Sequence, residues 1–166
     1  VTKSALELYQ DVVLSHNREP RGYGNLVDPS GSAEGFNPIC GDQVKVQILR
    51  SGDTVSMVGF TARCCALCRA SASVLTTILS GRSFTEAEAT VLAFDRMIHG
   101  LGAPLEGDAA AFAAIAQYPA RAKCVLLPWK TFSSALAATN LAASVKSSVK
   151  SPGASPLVSI PVSTET

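Results

Sequence analysis

With 166 residues, a net charge of +1 and scattered Lys and Arg, the sequence reads as one domain with a sizeable core and no electrostatic footprint for nucleic acid. Five cysteines are too few for a disulfide-dense scaffold, and their odd number leaves at least one unpaired. No basic segment followed by an apolar run opens the chain, and no apolar stretch approaches the length of a membrane span. A reducing, cytoplasmic setting is therefore expected, in which clustered cysteines bind metal or take part in catalysis.

In chain order, Leu6, Tyr9, Val12 and Val13 recur at helical spacing and predict a helix over residues 3–15. Pro20, Gly22 and Gly24 exclude regular helix, and Asn25 to Pro38 reads as an ordered loop or short edge segment. Val44, Val46 and Ile48 alternate with polar neighbours. Ser51-Gly52-Asp53 supplies a turn, and Val55, Met57 and Gly59 continue the alternation to Phe60. A lone hairpin is marginal, so helices must cover its apolar face.

Ala66 to Leu79 predicts a helix with a stripe of Leu67, Ala70, Val74, Leu75 and Ile78, ended by Gly81. Thr85 with Glu88 matches a capping box, starting a helix that runs to about His99. Asp108 is placed to cap a third helix through Tyr118. Pro119 restarts helix at a permitted first-turn position, and Pro128 should kink it just past Cys124. Beyond about Ser144 the period fades, so residues 144–166 read as a flexible tail in which Leu157 to Val162 can dock as a short strand.

Cys40, Asp42, Cys65 and Cys124 together make a four-ligand metal site conceivable. One intervening glycine lets Cys40 and Asp42 turn toward a common centre, and zinc accepts thiolate sulfur and carboxylate oxygen in a tetrahedral shell. Cys65 stands just before a helix, where backbone N–H groups favour a thiolate. Taken singly, each residue has a plainer reading. Cys40 serves equally well as a small buried hydrophobe and Asp42 as a turn cap. Cys64 and Cys68 read as packing residues beside the site, and His16 as a structural or loop-anchoring side chain. Gly22 and Gly24 form no phosphate loop.

The combination resembles the IscU/SufU family of iron–sulfur cluster assembly proteins, and within it the zinc-bound SufU branch. The resemblance rests on Leu8-Tyr9-Gln10-Asp11 through His16-Asn17 and Pro20-Arg21, on Ala33-Glu34-Gly35-Phe36-Asn37-Pro38 leading into Cys40-Gly41-Asp42, and on Phe60 and Cys65. Ala70-Ser71-Ala72-Ser73 and Pro119-Ala120-Arg121 leading to Lys123-Cys124 complete it, so that it spans roughly residues 5–137. The long separation from Cys65 to Cys124, containing Gly81 to Leu92, looks like the insertion that sets SufU apart, and Lys123 stands where classical IscU tends to carry His.

The resemblance implies an α+β domain over residues 1–143, with an antiparallel sheet of about three strands packed against several helices. It implies zinc on Cys40, Asp42, Cys65 and Cys124, and sulfur acceptance at Cys40 from the persulfide of a SufS-type cysteine desulfurase. Arg121 is implied in desulfurase activation and partner contact. In the SufU branch a desulfurase histidine can take over a zinc position and free the acceptor cysteine. The expected activity is thus zinc-dependent sulfur transfer, sulfurtransferase-like, with scaffold proteins as possible downstream partners. Two alternatives stay open: a scaffold that holds a transient iron–sulfur cluster on the same ligands, and a structural zinc module without sulfur chemistry. The chain departs from the family at Cys64, where glycine is usual, at Cys68, where serine is frequent, and at Pro128.

Overall fold

The computed structural model describes residues 3–148. Helix α1 (Ala5–Arg18) leads into strands β1 (Gly31–Asn37), β2 (Asp42–Ser51) and β3 (Thr54–Arg63). Helices α2 (Ala66–Leu79) and α3 (Phe84–Ile98), a 3-10 segment (Gly107–Gln117) and helix α4 (Pro119–Ser148) complete the chain. The strands form one antiparallel sheet in the order β1-β2-β3. With helices packed on the sheet, the fold is the expected α+β arrangement. Among the described residues, no helix is long and apolar enough to cross a membrane.

The start of α1 is fixed by a reciprocal capping box. Ser4 Oγ accepts the Glu7 N–H at 3.2 Å, and Glu7 accepts the Ser4 N–H at 2.8 Å. The helix is longer than the apolar spacing predicts, because its last turn is held by His16. That imidazole is buried and bridges Ser73 Oγ on α2 and Asp108 in the 3-10 segment, each at 2.7 Å. His16 is structural, as its sequence context suggests.

β1 occupies the segment that reads as loop or short edge. Its inward positions are Gly31, Ala33 and Gly35, while Phe36 points outward with 57 % exposure. Small residues face inward because α4 lies directly on this strand: a Cβ at Gly31 would meet Thr139 and the Ala135 carbonyl, and one at Gly35 would meet Thr131. Close helix approach has inverted the usual hydrophobic alternation, so the strand is silent in the sequence.

The predicted hairpin forms, with Val46 opposite Phe60 and Ile48 opposite Val58. A register shift between Leu49 and Arg50 changes its phase. Val55, Val58 and Phe60 are therefore buried, whereas Met57, which the simple alternation places with Val55, is 49 % exposed.

α2 is buried well beyond its predicted stripe, with Ser71, Ser73 and Thr76 inside as well. It is the central helix, packed between α1, α4 and the sheet. α3 begins two residues earlier than predicted, because Ser83 and Glu86 form the capping box in place of Thr85 and Glu88. The Phe84 N–H also bonds to Asp53 O at 2.8 Å, which ties this frame to the β2–β3 turn.

The alanine-rich stretch after Asp108 is 3-10 rather than α-helical. Asp108 makes no cap bond, since its carboxylate is used by His16. Ala109, Phe112 and Ile115 are all buried. A spacing of three aligns such residues on one edge in a three-residue turn, so inward packing outweighs the α propensity of alanine. Phe112 meets Phe94 and Tyr9 edge-on, and Phe94 stacks on Trp129 at 3.8 Å.

α4 passes through Pro128 without ending and continues beyond Ser144 to Ser148. Pro128 has no N–H for the Cys124 carbonyl. The next carbonyl, of Val125, accepts the buried Ser71 hydroxyl at 2.6 Å, and Trp129 Nε1–H donates to Ser71 Oγ at 2.9 Å. Ser71 therefore locks the proline-containing turn onto α2. Ser71→Ala leaves the buried Trp129 Nε1–H without its partner, removes the bond to the Val125 carbonyl, and is expected to cost about 1–3 kcal/mol in urea unfolding. A midpoint unchanged from the parent would refute that role. The suggested strand Leu157 to Val162 lies outside the described residues.

Candidate metal centre

The centre is built where β1 turns into β2. Asn37 is buried at the end of β1 and organises the turn: its side chain accepts the Ile39 N–H at 3.1 Å and its backbone carbonyl accepts the Gly41 N–H at 2.8 Å. Gly41 adopts φ +77°, which an L side chain rarely tolerates. This turn leaves Cys40 exposed and returns the chain so that Asp42, the first residue of β2, points inward with 5 % exposure.

One Asp42 oxygen, Oδ1, accepts the Cys65 N–H at 3.0 Å. The other, Oδ2, is buried and has no hydrogen-bond partner. A buried carboxylate oxygen left unpaired is costly, and a cation satisfies it directly. Cys124, on the first turns of α4, supplies a half-buried thiol beside it. Cys40, Asp42 and Cys124 each offer one ligand atom, and these atoms all lie within 4.8 Å of one another. Residues far apart in the chain are thus brought to one point, as the sequence anticipates.

Cys65 is placed differently from the other three. Its thiol is not in that mutually close group. It caps α2 instead, with Cys65 Sγ accepting the Cys68 N–H at 3.4 Å. Its backbone holds Asp42 in place, so Cys65 contributes to the centre at least as a positioning residue.

Electrostatics also point to a missing positive charge. Burial pushes the Cys124 thiol up to about 12, with Cys65, Cys40 and Asp42 adding to the shift. Burial likewise raises Cys65, and Asp42 reinforces it, while the N–H groups of Cys68 and Leu67 oppose it. The helix terminus alone therefore does not deliver the thiolate that the sequence suggests at Cys65. The Cys65 and Cys124 thiols therefore hold their protons until a cation reverses the balance. Two thiols and a carboxylate are a donor set that suits zinc, and thiolates also suit iron–sulfur sites. The residues fit a bound metal ion.

Around this centre, Arg121 is exposed on the first turn of α4. Its guanidinium opposes the rise that burial imposes on the Tyr9 phenol, so the Arg121 side chain reaches Tyr9 of α1. Lys123 is also exposed. Cys68 is fully buried in the core and Cys64 half-buried against it, in line with a packing role for both. Cys68 holds the Cys64 thiol below its ordinary pKa, which burial and Asp42 oppose. Cys68 is driven steeply upward by Cys64 and by burial. Sequence reasoning missed Asn37 and the capping use of Cys65. The Asn-Pro-Ile-Cys-Gly-Asp run at 37–42 carries a turn signal from which Asn37 was recoverable.

Residues 8–125 match the model of the NifU-like N-terminal domain. The chain belongs to this family, the IscU/SufU group of iron–sulfur cluster assembly proteins. It is 32 % identical over 133 residues to the zinc-dependent sulfurtransferase SufU of Bacillus subtilis, covering 78 % of this chain and 90 % of the relative. It is 31 % identical over 132 residues to the iron–sulfur cluster assembly scaffold protein IscU of Streptococcus pyogenes serotype M1, covering 78 % and 82 % of the two chains. The crystal structure of a putative iron–sulfur cluster assembly scaffold protein for the SUF system from Fervidobacterium islandicum AW-1 superposes with a TM-score of 0.72 at 30 % identity. That alignment covers 78 % of this chain and 96 % of the other. The IscU/SufU fold and a family-level role in iron–sulfur cluster assembly follow for this chain, with Cys40, Asp42 and Cys124 as its candidate metal site.

Proposed function

We propose that this IscU/SufU-type chain is a zinc-dependent sulfur carrier that takes persulfide sulfur from a SufS-type cysteine desulfurase. The observation that carries this reading is the meeting of an exposed thiol, Cys40, with the unpaired buried oxygen of Asp42 and the Cys124 thiol. Asp42 and Cys124 are the inner ligands, rooted in β2 and α4. Cys65, whose thiol now caps α2, would be the fourth residue to hold the ion. When bound, zinc keeps thiols deprotonated and ordered, and also blunts their nucleophilicity.

Cys40 is the acceptor because it is exposed on the glycine turn between β1 and β2. Once its thiolate is released to a docked donor, it attacks the outer sulfur of the persulfide. A sulfur–sulfur bond forms at Cys40, and the donor cysteine leaves as thiolate, by the logic of thiol–disulfide exchange. Arg121, exposed beside the centre, contacts the desulfurase and favours its active arrangement. The similarity to a sulfurtransferase over nine-tenths of its length supports this assignment.

A scaffold role on the same ligands is the competing reading, favoured by the similarity to an IscU scaffold protein at nearly equal identity. Metal content of protein purified without oxygen separates the two. About one zinc per chain supports the carrier, whereas iron with acid-labile sulfide supports the scaffold. Mass spectrometry after incubation with a SufS-type desulfurase and cysteine is expected to find persulfide on Cys40. Its absence from every cysteine would leave only a structural metal module.

A further inference from the structure

The two edges of the sheet differ. Along β3, the Gly24 N–H donates to Phe60 O at 2.8 Å and the Phe60 N–H donates to Gly22 O at 2.9 Å. Near the other end of that strand, the Val55 N–H donates to Arg82 O at 2.8 Å, and Val55 O accepts the Gly81 N–H at 2.7 Å. β1 pairs with β2 in unbroken register from Gly31 to Asn37 and has no second neighbour in the sheet. Among the described residues, no backbone hydrogen bond outside that ladder reaches residues 31–36. Sheet edges are commonly blunted by Lys, Pro or a bulge, and β1 has none of these.

α4 lies along β1 with Thr131 at Gly35 and Thr139 at Gly31, so helix and strand run in opposite directions. At about 100° per residue, Ala138, Leu141 and Val145 fall within about 60° of one another, on the flank away from the buried Phe132 and Leu136. That flank overhangs the open edge. Leu141 is 62 % exposed and Val145 48 %. Nearer the metal residues, Phe36 of β1 with Leu127, Lys130 and Ser134 of α4 line part of a groove of about 720 Å³. An unpaired strand edge beside an apolar helix flank is a seat for one more strand, apolar on one face.

We propose that residues 157–162 of this chain are that strand, laid parallel to β1 as the fourth member of the sheet. Ser151-Pro152-Gly153 supplies the reversal needed after α4, with Pro and Gly in the order of a type II turn. From Thr139 to Ser148 the helix advances about 13 Å past Gly31. Residues 149–156 span up to about 26 Å, enough to return to Gly31 past Val145 and Leu141. Val158, Ile160 and Val162 share one face, which meets the flank of α4. Their backbone groups then turn toward β1, and those of Leu157, Ser159 and Pro161 turn away. Pro161 has no N–H and in this arrangement needs none, so it blunts the new edge.

A second copy of β1 is a poorer occupant. Antiparallel pairing about the middle of the strand sets Glu34 against Glu34, and like charges directly opposite are destabilising. Residues 157–162 carry no charge, and attachment to α4 keeps them at high local concentration.

The inference is independent of the sulfur chemistry and is tested on the full, isotope-labelled chain by NMR. Nuclear Overhauser contacts are expected between the backbones of residues 157–162 and β1. Amides of β1 that point away from β2 are expected to exchange with solvent at least about tenfold more slowly in the parent than in Ile160→Asp, which puts a charge on the face laid against α4. Amides of β1 that point toward β2 should exchange alike in both. Equal exchange of the outward amides in the two chains, or a parent chain without contacts between these segments, would overturn the assignment. So would protection that grows with protein concentration, or contacts found only between differently labelled copies, because both put a second copy at the edge. Contacts in the parent chain decide the matter even if the variant folds poorly.

Discussion

Cys40→Ala, incubated with a SufS-type desulfurase and cysteine, is expected to pass on sulfur at least about a hundredfold more slowly than the parent chain. Accessibility and ionisation together produce an effect of this size. Among the five cysteines, only Cys40 and Cys65 are exposed. Cys65 is tied to the start of α2 through its sulfur and to Asp42 through its N–H. Cys124 is half-buried and pushed up to about 12, so it offers negligible thiolate near neutrality unless a cation binds. Cys68 is enclosed in the core. No remaining thiol combines the reach and exposure of Cys40. The substitution itself removes an exposed side chain from a turn, so melting should change little. Labelled sulfur recovered on a recipient at the parent rate would remove Cys40 from the acceptor position.

The parts of the fold that were legible share one property: their local signal agrees with their tertiary use. The β2–β3 hairpin carries alternating Val and Ile around Ser-Gly-Asp, and α2 carries an unbroken apolar stripe ended by Gly81. Illegible parts answer to distant neighbours. β1 presents Gly31 and Gly35 inward because α4 presses on it, so its core face shows no hydrophobic signal. The stretch after Asp108 has alanine's helix propensity but follows the three-residue spacing of its buried side chains, and its apparent cap is spent on His16. Two overlapping capping boxes, Ser83 with Glu86 and Thr85 with Glu88, cannot be separated without knowing that Phe84 bonds to the β2–β3 turn.

The candidate centre was more legible than the fold around it. Thiol and carboxylate flanking a single glycine make a shared focus conceivable, and family resemblance was needed to settle on them together with the distant Cys65 and Cys124. What the sequence could not convey was the state of each donor. Asp42 is half satisfied by a backbone N–H and half unpaired, and Cys65 is occupied as a cap. Both properties depend on where the end of β3 meets the start of α2, a relation that no residue spacing encodes.

Zinc at a thousandfold excess over its dissociation constant is expected to stabilise the parent chain by about 4 kcal/mol, by mass action alone. For a domain of this size that corresponds to a rise in Tm on the order of ten degrees. The whole increment should vanish on addition of a chelator. Asp42→Ala tests the origin of the effect, because Asp42 contributes in two opposite ways without metal. It accepts the Cys65 N–H, which favours the fold, and it holds a buried oxygen without a partner, which opposes it. These contributions offset, so the metal-free variant should melt close to the parent. Its zinc increment, by contrast, should fall to about 1.4 kcal/mol or less at the same metal concentration, because loss of a ligand weakens binding at least about a hundredfold. A variant that keeps the full increment would mean that zinc binds elsewhere, and the unpaired oxygen of Asp42 would then be a cost of the fold rather than the seat of a metal.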